Sequence, residues 1–310
     1  MEEKIEIMNL LQSKQLLEHE LQSLAYGSVE IRENESNKYI YVHYREDGVA
    51  LTKYVGEYSD ELYNLVLNNS IKAKQLKKQI REITKKLKQL NYTEEELSEK
   101  VQQNIDFAKR HLVDTIYKQA ILEGVATTFA DTESIIEGGK VNNMTSEDIL
   151  KIVNLKHAWE FILNKNVILS DTNFALLCEI NKMVEEGFYY TAGKVRNTPV
   201  TIGGTTWKPD LPIESVIKEE LEEIFSKELD DIDRAIELLL YTMKKQVFID
   251  GNKRTAVIYS NHYLISKGKG IIAIPAELTE EFKDLLIPYY EGKDENKIRE
   301  FIKEKCYMSI

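Results

Sequence analysis

A chain of 310 residues, 43% hydrophobic and 30% charged, is long enough for one large domain or two ordinary ones with buried cores. With only 14 glycines and 5 prolines it lacks the turn residues of an all-β fold, so a mainly α protein is expected. The net charge of −11 argues against general coating of nucleic acid, and two cysteines without metal-ligand spacing, Cys178 and Cys306, exclude a disulfide framework and fit a reduced, cytoplasmic setting.

The first residues, "MEEKIEIMNLLQSKQLLEHELQSL", are acidic and amphipathic and lack the basic start and apolar run of a secretory signal. No later window reaches the ~18 uncharged apolar residues of a membrane span, so no membrane partner is expected. This opening predicts a helix over about 3–24. Residues 27–56 then switch to period-two alternation, with Tyr39, Tyr41 and His43 on one face and Ile40, Val42 and Tyr44 on the other. Turn signals at "ENESN" and "EDG" divide the stretch into a three-stranded antiparallel meander.

Leu62, Val66, Ala73, Leu76, Ile80, Ile83, Leu87 and Leu90 follow at alternating spacings of four and three, with Asn69 in the one polar slot. Such a seven-residue repeat predicts a long helix with a single apolar seam. Thr93 and Glu96 have capping-box spacing, so a second long helix is expected from about residue 94, closing a helical hairpin, although the same seam would serve a homodimer. Between Lys72 and Lys88 stand seven lysines and Arg81 against one acid, Glu82. Tyr39 and Tyr41 with Lys74, Lys77, Lys78, Arg81 and Lys85 suit a nucleic acid or an acidic partner protein. Equally, the tyrosines pack under the helix and the lysines solvate its outer face.

Shorter helices are expected at about 147–165, 171–187, 214–228, 231–247, 251–267, 277–290 and 295–305. Between the second and third of these, "GKVRNTPVTIGGTTWKPDLP" (193–212) reads as a short β-hairpin or flap.

The segment "KKQVFIDGNKRTA" (244–256) concentrates the chemistry. Asp250 offers a hard oxygen to Mg²⁺, and Gly251 lets backbone approach a ligand closely. Asn252 opens a helix whose N–H groups form an anion site, while Lys253 and Arg254 add positive charge, the latter able to fork onto two oxygens. An ordinary helix-capping turn with a solvated Lys-Arg pair has the same sequence.

"VFIDGNKRTA" resembles the signature of the Fic/Doc (Fido) family, His-x-Phe-x-Asp/Glu-Gly-Asn-Gly/Lys-Arg. "ILEGVATTFADTESIIEGG" (121–139), "ILKIVNLKHAWEFIL" (149–163) and the flap (192–212) are similar to further family segments in the same order. The resemblance implies a Fido helical core with an inhibitory-type segment at about 115–139 and a core at about 145–270, within a domain spanning 93–310 beside an N-terminal module at 1–92. It further implies Mg²⁺ and ATP as cofactors, Asp250 for the metal, and Gly251, Asn252, Lys253 and Arg254 for the phosphates. The implied partner is a target protein whose hydroxyl receives AMP, or phosphate as in the Doc branch, to which Lys253 points.

Three positions depart from the family pattern. Gln246 occupies the site of the catalytic histidine, and an amide has no titratable group with which to act as a base. Val257 replaces a second arginine. In the inhibitory motif Glu123 and Gly124 match but Gln119 replaces a hydroxyl residue, so Glu123 either reaches Arg254 or is only a helix-end carboxylate. His19, His43, His111, His157 and His262 have no spacing that marks a substitute base. The sequence thus admits a transferase, a catalytically silent nucleotide binder, or a binding module with a regulatory Fido body.

Overall fold

The computed structural model describes residues 2–34, 37–46, 49–90, 92 and 97–310, and separates two compact units, 1–93 and 94–310. In the first unit, helix α1 (Glu2–Ser23) precedes the strands β1 (Ser28–Asn34), β2 (Asn37–Glu46) and β3 (Val49–Glu57), and helix α2 (Asp60–Gln89) follows. The strands form an antiparallel sheet in the order β1-β2-β3, the expected meander. Ser59 starts α2 by accepting the Leu62 N–H, as an N-cap serine does.

Alternation along β2 turns Ile40 and Val42 onto Val66 of α2, with Val29, Val55, Leu62 and Tyr63 packed around them. The opposite face carries Tyr39, Tyr41 and Tyr54, with ring centroids 6.2 and 5.4 Å apart, and the Arg32 guanidinium 4.5 Å above Tyr41. Those tyrosines therefore do not lie under the helix. The seam of α2 is covered by the sheet and by α1, which buries Met8 and Leu11. Lys74, Lys78, Arg81 and Lys85 stay exposed, while the Lys77 ammonium sits 4.6 Å over the Tyr26 ring.

The expected second long helix is not formed. Thr93 and Glu96 lie outside the described residues, and helix α3 (Glu99–Arg110) starts later, capped by Ser98. It stops at His111, after which α4 (Leu112–Leu122) begins.

The second unit continues with α5 (Phe129–Ile136), α6 (Ser146–Ile162), α7 (Lys165–Ile168), α8 (Phe174–Val184), α9 (Glu214–Ser226), α10 (Asp231–Lys245), α11 (Asn252–Ser266), α12 (Thr279–Tyr290) and α13 (Asn296–Phe301). A two-stranded pair that the sequence did not suggest, β4 (Ile271–Ile272) with β5 (Tyr307–Met308), ties the end of the chain to the core. The segment 193–213 has no strand. It is an irregular flap that stacks Trp207 on Tyr290 and donates the Thr205 hydroxyl to Glu291. Its anchoring is by side chains, so β-branched residues did not produce a ladder there.

Helix α11 is the axis of the unit, packed by α3, α6, α7, α8 and α10 and buried on every side. Two of its buried polar residues, Asn261 and His262, are matched inside the protein. Asn261 bonds the backbone of Ile272 in both directions, and His262 joins the Thr172 hydroxyl at 2.8 Å to the Val167 carbonyl at 2.9 Å. Burial pushes the His262 imidazole down to about 4, so this histidine is a neutral packing residue.

Candidate functional site

Helix α10 ends at Lys245 and is capped by Gln246, whose backbone is left-handed at φ 48° and ψ 58°. A non-glycine residue there costs about 1–2 kcal/mol and needs fixing by its surroundings. Arg196 from the flap supplies much of that. Its Nε donates to the Gln246 carbonyl at 2.6 Å, and its backbone N–H to the Val247 carbonyl at 3.0 Å. Its other nitrogens reach the carbonyls of Thr198 at 2.8 Å and Asp210 at 2.6 Å, so one buried cation pins both limbs of the flap to the loop. The Gln246 amide turns inward, Nε2 donating to the Met243 carbonyl at 2.6 Å and Oε1 accepting from Asn252 Nδ2 at 3.2 Å. Both polar ends of the side chain at the base position are thereby used inside the protein.

Phe248 is buried and anchors the loop. Asn252 brackets it, accepting the Phe248 N–H at 3.0 Å and donating to its carbonyl at 2.8 Å. Asn181 of α8 holds the other side, reaching the Asp250 carbonyl, the Thr255 hydroxyl and the Gly193 N–H. Gly251 has φ +71° and precedes α11 without any side-chain cap, so the first-turn N–H groups have no capping acceptor and the helix dipole favours an anion. A Cβ at Gly251 would stand 2.4 Å from Glu185 Oε1, which is why the loop needs glycine both for its backbone and for the space beside it.

Arg254 is only 3% exposed, which removes the reading of a solvated Lys-Arg pair for this residue. Its Nη2 lies 2.7 Å from Glu185 Oε1 and 3.8 Å from Asp250 Oδ1, and its Nε lies 3.6 Å from Glu123 Oε2. Glu123 also stands 3.6 Å from the Lys253 ammonium. Glu123 therefore reaches Arg254 although Val257, itself buried, replaces the second arginine. Gln119, one turn before Glu123, is buried. It donates to the Arg254 carbonyl at 2.7 Å and accepts the Trp159 indole N–H at 3.0 Å, joining α4 to α11 and α6.

Arg254 Nε and Nη1, Glu123 Oε1 and Glu185 Oε1 are all buried with no aligned hydrogen-bond partner. Four such atoms at one point are costly unless a ligand completes them. Burial raises the Glu185 carboxyl to about 7 against the opposing pull of Arg254, with Asp250 and Glu123 adding to the rise. Asp250 is half exposed at the mouth, and the Tyr189 phenol facing it is pushed upward chiefly by the charge of Asp250. Among the described residues no group of three or more His, Cys, Asp or Glu forms a metal cage. A single open carboxylate fits Mg²⁺ carried largely by phosphate oxygens.

Gln246, Asp250, Gly251, Asn252, Lys253, Arg254 and Glu123, which the sequence singles out, all lie at this site. Glu185, Asn181 and Arg196 join them without being marked by the loop motif. Glu185 follows Leu177 and Asn181 at steps of four on the buried face of α8, and a carboxylate in that phase was the available signal.

These features define a helical domain built around a glycine-containing loop at the uncapped start of a buried helix. The Fic/DOC family model matches residues 171–264, which include α8, the flap, α10, the loop and most of α11. Among solved structures the chain is similar to Fic-1 from C. elegans (residues 134–508), at 17% identity and a TM-score of 0.53, covering 78% of this chain and 79% of that one. A Fic domain containing signaling protein from Bacteroides thetaiotaomicron is similar at 19% identity and a TM-score of 0.51, with 61% and 75% coverage. A Fic family protein from Desulfovibrio desulfuricans is similar at 13% identity and a TM-score of 0.52, with 67% and 72% coverage. No curated protein matches the chain. Residues 171–264 are a Fic/DOC-family domain, and the second unit has the Fic fold. Among the described residues no helix is long and apolar enough to cross a membrane.

Proposed function

We propose that the second unit binds Mg-ATP at the 248–254 loop and transfers AMP, or phosphate as in the Doc branch, to a hydroxyl of a target protein. The observation that carries this reading is the buried Arg254 guanidinium with two unpartnered nitrogens beside an uncapped helix start. In this reading Arg254 and the first-turn N–H groups of α11 hold the outer phosphates, Gly251 lets the backbone approach them, and Asn252 keeps the loop in shape. Asp250 would hold Mg²⁺, which neutralises phosphate charge when bound. Glu123 lies where a phosphate would meet Arg254 Nε and Lys253, so it acts as a removable block. The flap, fixed by Arg196, presents the target chain.

A second reading has its own observation. The Gln246 amide bonds Met243 of α10 and Asn252 of α11 and has no titratable group to accept a proton, so the domain binds nucleotide without turnover. Label transfer separates the two. Protein, Glu123→Gly and Glu123→Gly/Arg254→Ala are incubated with Mg²⁺, a cell lysate and ATP labelled at the α or γ phosphate. Transfer by Glu123→Gly that disappears with Arg254→Ala supports the transferase, the labelled phosphate naming the donor chemistry. Transfer that survives Arg254→Ala removes this loop from the reaction, and nucleotide binding with no transfer leaves the silent binder.

A further inference from the structure

Two carboxylates meet Arg254, and they differ in almost every physical respect. Glu123 is at the end of α4, 13% exposed, and faces Nε at 3.6 Å while also engaging Lys253. Glu185 closes α8, a core helix, is 1% exposed, and faces Nη2 at 2.7 Å. It is wedged under the loop, because the space a Gly251 side chain would need is filled by its carboxylate. Arg254 Nε, which faces Glu123 beside Nη2, and Nη1, on the side away from Glu185, are both buried without a hydrogen-bond acceptor.

We propose that Glu185 is a positioning residue for the anion site: it holds Arg254 by Nη2 from beneath the loop, so that Nη1, and Nε once Glu123 withdraws, are presented to the outermost phosphate of the nucleotide. Glu123 and Glu185 then act in opposite senses on the same arginine, one competing with the phosphate and the other orienting the guanidinium toward it. A guanidinium is planar with donors fixed in a fork, so holding one nitrogen sets the direction of the others. Without Glu185 the long side chain regains rotamers and loses a counter-charge in a site that water barely enters. The proposal rests on the nucleotide reading of the site and assigns it a part that the loop motif does not contain.

The test is titration calorimetry of Mg-ATP and of AMP into Glu123→Gly, Glu123→Gly/Glu185→Gln, Glu123→Gly/Glu185→Asp and Glu123→Gly/Arg254→Ala. Relief of Glu123 is expected to tighten ATP, and Glu185→Gln to weaken it about ten-fold, the scale of one close contact between charged groups. Aspartate, which keeps the charge on a shorter stem, is expected to recover part of that loss. AMP, lacking the outer phosphates, is expected to bind Glu123→Gly and Glu123→Gly/Glu185→Gln alike, which a general loosening of the fold would not produce. Tighter ATP binding by Glu185→Gln, or equal losses for ATP and AMP, would overturn the positioning role. Equal ATP binding by Glu123→Gly and Glu123→Gly/Arg254→Ala would instead remove the site reading beneath it.

Discussion

At the scale of single residues, the loop was legible because its chemistry is local. Asp250, Gly251, Asn252, Lys253 and Arg254 are consecutive, and helix-start physics assigns their geometry from the sequence alone. Glu185, Asn181 and Arg196 were not legible. Each acts on the loop from about 50 or more positions away, and no local pattern distinguishes a buried carboxylate under a glycine from a surface one. Gly251 shows how tightly the site is drawn. Gly251→Ala would combine φ +71° with a Cβ 2.4 Å from Glu185 Oε1. Left-handed backbone alone costs an L residue about 1–2 kcal/mol. ATP affinity measured on the Glu123→Gly background is therefore expected to fall by at least about ten-fold on Gly251→Ala. Unchanged affinity would mean that phosphate does not approach this backbone.

At the scale of elements, helices that bury one face declared themselves by period, and their limits came within a few residues of expectation, as for α9 and α10. The misses have physical causes. A seven-residue seam specifies that a helix is covered but not by what, and in α2 the cover is α1 and the sheet. The flap kept β-branched residues without pairing because Arg196 and Trp207 anchor it by side chains. Helix α11 carries a further consequence in His262. Its imidazole titrates near 6.5 when unfolded and at about 4 in the fold, so the unfolded chain binds the extra proton between those values. Stability is thus intact above about pH 6.5 and is lost as pH falls toward 4, by roughly 3 kcal/mol when the shift is fully expressed. Urea midpoints measured across that range are expected to fall with pH in the native protein. The fall should be shallower in His262→Gln, which keeps hydrogen-bonding capacity without the charge. The same slope in both would refute a buried neutral histidine.

At the scale of the whole molecule, a β-meander with two helices and a Fic-fold unit share one chain, and the residues of the candidate site lie wholly in the latter. That unit has an uncapped helix start beside the buried Arg254, an open carboxylate at Asp250, a flap tied by Arg196 and Glu123 against Arg254, and departs from the family signature at Gln246. The backbone at Gln246 is left-handed, a conformation in which histidine is enriched among non-glycine residues, so the scaffold still has the shape for an imidazole. The most direct test is the rate of label transfer from Mg-ATP to protein by Glu123→Gly/Gln246→His beside Glu123→Gly. Restoring a general base is expected to accelerate transfer by about 10²–10⁴. An unchanged rate, with nucleotide still bound through Arg254, would contradict the claim that this is a Fic-type transfer site limited by its missing base.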